Sequence, residues 1–365
     1  MAFIYYNYFM ATLTESSVSA RKIIRYSLYA FVLFLFFRFL TLTAVDLYHK
    51  YFPQKPEATL AFGKLPSLPF PQREAPTGLS YSLELPQGSL PVFQELVEVY
   101  FMPPFQRNIN ALEDARQKAT AFSFQPQEKQ VAETIPNVYV FQHLREPTNF
   151  TINIVTGIFS IGYNFDGNPQ VLTGIPPAAA TASINLSTVL TSANVFPADL
   201  KNGTNLTRFF KVEGGQFIEV SSLSEASLTR VDIARKGYGK QGNIPPVGPN
   251  FPDSNVWFML AGGSKNPVVG EYHYFPVDQA RLATYPIKTS EEAWKELTAG
   301  RAFIANPGNA DKTKVIRRVY LAYYDAGQYT PFYQPVIAFE GDGGFAAYVP
   351  AVVSDYYGGA LPGAN

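Results

Sequence analysis

Cysteine is absent from the 365-residue chain. Disulfide staples, thiol nucleophiles, zinc–thiolate sites and iron–sulfur clusters are thereby excluded. Histidine is scarce: His49, His143 and His273 lie far apart and show no ligand spacing, so neither a metal nor a cofactor is expected. No serine has a histidine close in sequence and a third partner, so no triad and no catalytic residue is assigned. Charged residues make up only 16% of the chain, with 29 Lys+Arg against 29 Asp+Glu, so no global field attracts nucleic acid. Without staples, folding must rest on core burial, for which the 47% of apolar residues provide material. The length suggests two or more folded units.

The stretch ARKIIRYSLYAFVLFLFFRFLTLTAVDLYHK is the strongest pattern present. From Tyr26 to Val45 the 20 residues are uncharged except Arg38, enough to cross about 30 Å of hydrocarbon as a helix. Arg21, Lys22 and Arg25 precede it and favour an N-terminus left in the cytoplasm. An arginine near the centre costs about 2.5–3.5 kcal/mol, which the neighbouring Phe and Leu residues outweigh. A retained signal-anchor is expected. Two other readings stand beside it: a cleaved signal peptide with its apolar region at Tyr26–Phe37, and a helix whose Arg38 pairs with an acidic residue of a membrane partner. The true start is Met1 or Met10.

Eight prolines fall in the 39 residues from Pro53 to Pro91, which predicts a semi-extended stalk. Beyond it, VFQELVEVYFM (Val92–Met102) has strand composition. NALEDARQKATAF offers Asn110 and Glu113 as a capping box opening a helix. NVYVFQH and TNFTINIVTGIFSIGYNF then read as antiparallel strands turning at Thr156-Gly157. The same order returns with Thr289 and Glu292 as a capping box, Ala293, Trp294 and Leu297 on one helix face, and strands around a GDGG turn. Asn110 to Thr289 spans 179 residues and Gly157 to Gly341 spans 184, which suggests an internal repeat. Between them lies a helix with Ala182, Leu186, Val189, Leu190 and Ala193 at helical spacing, followed by a hairpin around Gly214-Gly215. SLTRVDIAR, NVWFMLAGG and GEYHYFPV read as further antiparallel strands. Short helices segregated between strand runs predict an α+β fold.

Several stretches invite a chemical reading. Gly237-Tyr238-Gly239-Lys240-Gln241-Gly242 matches G-x-G-x-x-G, but the prolines of the following NIPPVGPNFP forbid the helix that phosphate binding requires. Asp325, Glu340 and Asp342 read either as a carboxylate group or as caps of their own turns. Sequons occur at Asn149, Asn185, Asn202 and Asn205. In VIRRVYLAYYD, Val315, Arg317, Val319, Leu321 and Tyr323 face one way and Ile316, Arg318, Tyr320, Ala322 and Tyr324 the other; neither face is purely polar, so the strand is expected to be covered on both sides. The loop AGQYTPFYQ carries Tyr329, Phe332 and Tyr333 around Pro331. It reads either as a peptide- or glycan-binding surface or as a loop folded back over the sheet.

Helix followed by hairpin, with strands such as INIVTGIF, resembles PepSY-type modules. SEEAWKELTAG leading into VYLAYYD and QPVIAFEG, behind one N-terminal anchor, is similar to the YycH/YycI regulators of a cell-wall-sensing histidine kinase and to single-pass proteins of candidate-phylum bacteria. The resemblance covers roughly residues 92–353 and carries over no catalytic residue. It implies an extracytoplasmic domain of repeated helix–hairpin units that modulates a membrane partner, with Arg38 as an intramembrane contact. The expected organisation is a cytoplasmic tail over 1–25, a membrane helix over 26–45 and a stalk over 46–91. A first helix–hairpin lobe over 92–170, a central and C-terminal lobe over 171–355 and a flexible tail over 356–365 follow. The expected function is regulation or envelope assembly through protein–protein interaction at the cell membrane. The alternative is a glycan-binding protein or hydrolase of the cell envelope that uses Asp325 and the Tyr329–Tyr333 loop.

Overall fold

The computed structural model describes residues 13–51, 57–74, 76, 78–106, 108–124, 131–262, 264 and 266–359. The chain divides into two compact units, Met1–Glu57 and Ala58–Asn365. The choice between Met1 and Met10 lies outside the described residues.

In the first unit Leu13–Tyr51 forms one 39-residue helix. Its stretch Ala20–Val45 has mean hydropathy 2.1 and is nowhere buried. At 1.5 Å per residue these 26 residues span about 39 Å, more than the hydrocarbon thickness of a bilayer. The helix is long and apolar enough to span a membrane or to act as a signal anchor. Residues 13–25 continue the same helix, because nothing between Leu13 and Arg25 breaks it: the segment holds no proline or glycine.

The second unit is mostly sheet. A nine-stranded antiparallel sheet begins with four consecutive strands, Val131–Ile135, Val138–Gln142, Thr148–Asn153 and Phe159–Tyr163. It continues through Val269–Tyr272, Val256–Ala261, Leu228–Ala234, Thr204–Glu213 and Gln216–Val220. The expected turns at Gly157 and Gly214-Gly215 are present, each glycine holding positive φ. One sheet thus crosses the boundary expected at 170/171, since Phe159–Tyr163 pairs directly with Val269–Tyr272.

Helices Ala111–Ala121 and Ala179–Ser192 share one hydrophobic core with this sheet. Ala182, Leu186, Val189, Leu190 and Ala193 are buried, as their spacing predicts. Asn110 occupies the N-cap of the first of these helices, but its side chain makes no cap. The Asn108 side-chain Oδ1 instead accepts the Asn110 backbone N–H at 2.9 Å, the donor that Glu113 needs for a capping box. In the core, Phe150 and Phe159 lie 5.0 Å apart and Phe122 stacks 5.9 Å from Phe258.

A second sheet is built on the strand Thr313–Tyr324. It pairs antiparallel with Pro335–Gly341, which pairs with Ala346–Pro350 and through it with Phe303–Asn306. Ser80–Leu83 and Pro246–Val247 add to it in parallel. Helix Ser290–Thr298 begins with the expected capping box of Thr289 and Glu292 and contributes Ala293, Trp294 and Leu297 to the core of this sheet. A bulge between Ile316 and Arg318 inverts the alternation of the long strand, so Ile316 joins Val319 in one core. Arg317 and Arg318 are exposed, while the strand's C-terminal end is buried on both faces, Tyr323 in one core and Ala322 and Tyr324 in another. A third, three-stranded sheet joins Asp278–Pro286, Leu96–Phe101 and Phe332–Tyr333.

The two outer helix–strand segments share an order of elements but not a pairing pattern. After the first helix the strands pair in sequence; after Ser290–Thr298 the first strand pairs with the last. The expected stalk over 46–91 is likewise corrected. Leu65 is fully buried, Ser80–Leu83 is a sheet strand, and Leu79, Tyr81, Leu85 and Leu90 pack on the second sheet's core. Among the described residues of this segment only Pro66 falls within a strand, one of a two-stranded pair where each strand is an edge, and the other prolines lie in the connections. The expected tail over 356–365 is held as well, in its described part: Tyr357–Gly359 pairs with Leu65–Pro66.

Gly270 faces Phe258 across adjacent strands, and a Cβ there would meet the Phe258 ring at 2.1 Å. Because Phe258 is fully buried, Gly270→Ala is expected to cost about 1–3 kcal/mol through overpacking. A chemical-denaturation midpoint measures this; an unchanged midpoint would show that the two strands can spread.

Candidate functional site

The most highly constrained polar group in the second unit is Arg235, one residue beyond the strand Leu228–Ala234. It is buried, with its side chain only 1% exposed. Its Nη1 donates to Asp199 Oδ2 at 2.7 Å, its Nε to Asp325 Oδ2 at 2.7 Å, and its Nη2 to the Phe275 carbonyl at 2.6 Å. Its guanidinium stacks 4.2 Å from the Tyr274 ring centre and lies 5.8 Å from that of Tyr333. Asp199 also accepts from the Tyr238 and Tyr274 hydroxyls at 3.0 and 2.9 Å. Two carboxylates face one guanidinium, and the excess negative charge is met by these neutral donors. A cavity of about 90 Å³ borders Arg235, Asp325 and Tyr274.

A second charged group lies on the large sheet. The fully buried Asp232 accepts from Arg208 at 2.8 Å and from Arg230 at 2.8 and 3.0 Å, and Asp253 bridges the same two arginines. Arg230 stacks on Trp257 at 4.2 Å. In both groups every buried carboxylate is paired with an arginine, which suits fixing the fold, although Arg208 Nε is buried without a hydrogen-bond partner.

A cleft of about 410 Å³ lies at one end of the large sheet. The end of the strand Val138–Gln142, the start of Thr148–Asn153, the end of Phe159–Tyr163 and residues 262, 264 and 266–268 converge there. Glu146 Oε2 accepts from the Tyr163 hydroxyl and the Asn168 amide, both at 2.8 Å. Those two hydrogen bonds hold the Glu146 carboxyl below the usual carboxylate range. Burial, and then Glu146, push the Tyr163 phenol up to about 12. His143 Nδ1 accepts the backbone N–H groups of Glu146 at 3.0 Å and Arg145 at 3.3 Å.

The residues singled out in the sequence separate widely. Arg38 is exposed on the N-terminal helix. Asp325 is a partner of the buried Arg235 rather than a turn cap alone. Glu340 instead meets Tyr320 and Arg318, and Asp342 meets Arg317, so the three carboxylates serve three different cations. The Tyr329–Tyr333 loop is folded back: Tyr333 is fully buried and stacks 5.1 Å from Tyr323, and Phe332 stacks 4.8 Å from Phe62. Tyr329 is half-buried against Phe105. Pairing of Phe332–Tyr333 with Leu96–Phe101 turns these rings inward, the second of the two readings of this loop. The glycine-rich stretch 237–242 closes on itself through a Tyr238–Ile244 bridge, and a Cβ on Gly237 would meet the Gly242 carbonyl at 2.2 Å. Among the described residues no group of three or more His, Asp or Glu is placed to hold a metal ion.

Sequence reasoning missed Arg235, Asp199 and the Glu146 cleft. SLTRVDIAR alternates charge and apolar side chains, the pattern of a half-exposed strand. Only the return of Arg208, Asp253 and Asp325 from distant positions covers its charged side.

These features define a mixed α+β protein with one N-terminal apolar helix and a mostly sheet C-terminal unit. No family model matches the chain, and no curated protein matches it. Seven chains of solved structures match. One is an uncharacterized protein from Eubacterium rectale, 10% identical, with a TM-score of 0.30, covering 73% of this chain and 85% of that one. A likeness at that score carries no argument about function.

Arg235→Gln should cost about 3–5 kcal/mol, because it leaves two carboxylates without their cation. The exposed Arg318→Gln should stay within about 0.5 kcal/mol. Denaturant midpoints of both variants test this, and equal midpoints would remove the special role of Arg235. Burial also raises the phenols of Tyr100, Tyr272, Tyr274, Tyr323, Tyr324 and Tyr348 above their ordinary value. Raised folded values mean that their contribution is complete below about pH 10 and is lost as pH rises further. Tyrosinate absorbance should therefore lag in the folded protein and rise with unfolding; full ionisation near pH 10 in a still-folded chain would contradict it.

Proposed function

We propose that the chain is a single-pass membrane protein with a cytoplasmic N-terminus, whose Ala58–Asn365 unit works outside the cytoplasm by binding. It regulates a membrane partner such as a sensor kinase, or contributes to envelope assembly. The observation that carries this reading is the helix Leu13–Tyr51, whose stretch Ala20–Val45 is apolar and entirely exposed. A soluble chain has no reason to leave such a surface uncovered. Arg21, Lys22 and Arg25 at the helix's N-terminal side favour the cytoplasmic orientation. Arg38 is costly in lipid unless a partner's acidic or polar group meets it, which makes it the proposed contact. Likeness to PepSY-type modules belongs to this proposal; its support is the recurring order of a short helix followed by antiparallel strands.

A photo-crosslinker placed beside Arg38 in native membranes tests the reading. The anchored chain should capture a membrane protein, a histidine kinase among the candidates, and Arg38→Leu should reduce capture at least tenfold. Undiminished capture by Arg38→Leu, or no membrane protein captured at all, would overturn the contact.

A further inference from the structure

A second cleft, of about 350 Å³, opens at the turn that joins the strands Thr148–Asn153 and Phe159–Tyr163. Its volume suits a small molecule, whose sites usually measure roughly 300–1,000 Å³. Phe196, Pro197, Pro276 and the ring of Tyr274 give it apolar walls.

Tyr272 lines this cleft from the core side. It is only 5% exposed and stacks 4.7 Å from Phe159. Its hydroxyl makes no hydrogen bond among the described residues, unlike that of Tyr274, which donates to Asp199. Such a hydroxyl is satisfied only by what enters the cleft, water or a ligand. Burial holds the Tyr272 phenol above its ordinary value, so it keeps its proton and can donate. Thr156 offers a second hydroxyl proton, because its oxygen already accepts the Ile158 N–H at 3.3 Å.

Lys118 brings a positive charge to the same cleft. It lies in the last turn of the helix Ala111–Ala121, where a cation also meets the helix's negative end. That placement accounts for Lys118 but not for the idle Tyr272 hydroxyl. Asp199, behind Tyr274, is already matched by Arg235 and two hydroxyls. An ammonium ligand would meet like charge at Lys118, whereas a carboxylate accepts from Lys118, Tyr272 and Thr156 alike. We propose that this cleft binds a small carboxylate borne on an aromatic ring, with Lys118 and Tyr272 donating to the carboxylate and the ring lying against Phe196 and Tyr274. The proposal deepens the reading of the second unit as a binding domain and makes no use of Arg38, so crosslinking at the membrane and binding here fail separately.

The test uses the full-length chain in phosphatidylcholine nanodiscs and saturation-transfer NMR with benzoate. Benzamide, benzylammonium and acetate are the controls, and empty nanodiscs are the blank. Benzoate should receive saturation and bind about tenfold more tightly than each control. Lys118→Gln should weaken benzoate binding about tenfold and Tyr272→Phe about fivefold. Because the Tyr272 hydroxyl makes no bond in the fold, Tyr272→Phe should leave the thermal midpoint unchanged. Four results would overturn the proposal: no benzoate bound, any control bound as tightly, benzoate binding untouched in both variants, or a lowered midpoint for Tyr272→Phe.

Discussion

Arg235 carries its positive charge into the interior, where the ends of separately built sheets come together. The residue follows the strand Leu228–Ala234 of the large sheet, and Asp325 follows the strand Thr313–Tyr324 of the second sheet. Tyr333, under the guanidinium, belongs to the third sheet. One side chain therefore touches all three. Its burial is tolerable only because each bond it loses to water is replaced by a charge-assisted one. That requirement fixes Asp199, Phe275 and Asp325 in position. The short helix Ala198–Lys201 that carries Asp199 thereby becomes part of the junction.

Rigidity at the junction leaves recognition to the periphery. The aromatic residues near the C-terminus, conspicuous in sequence, are drawn inward: Tyr323 and Tyr333 stack on each other and meet Tyr100 and Tyr238 at steep ring angles. Among the exposed polar groups are those at one end of the large sheet, where turns after successive strands meet around Glu146. Loops at one end of a sheet can vary without disturbing the core, the usual arrangement of a binding site on a rigid scaffold. The N-terminal helix adds a second element, an apolar surface long enough to span a membrane or to act as a signal anchor.

Elements whose formation is local were legible in the sequence. The Thr289–Glu292 box, the helix from Ala179, the turns at Gly157 and Gly214-Gly215 and the apolar N-terminal helix follow from spacing alone. Long-range competition decided the rest. Asn108 took the donor that the Asn110–Glu113 box required. The prolines after Pro53 read as a spacer because sequence does not reveal that edge positions of distant strands will accept Leu65–Pro66 and Ser80–Leu83. Of the candidate site residues, Asp325 pairs with Arg235, 90 residues away in sequence, which no local pattern reveals. Glu146 and His143 come together only through an exposed loop with no periodicity to betray it.

Through its three buried hydrogen bonds Arg235 makes the sheets one cooperative unit. Native-state hydrogen exchange of the central strands Val256–Ala261 and Pro335–Gly341 tests this most directly. Both strands should share one opening free energy in the native chain and show separate values once Arg235 is replaced by glutamine. Different opening free energies already in the native chain would contradict it, because the sheets would then be stable independently of the buried guanidinium.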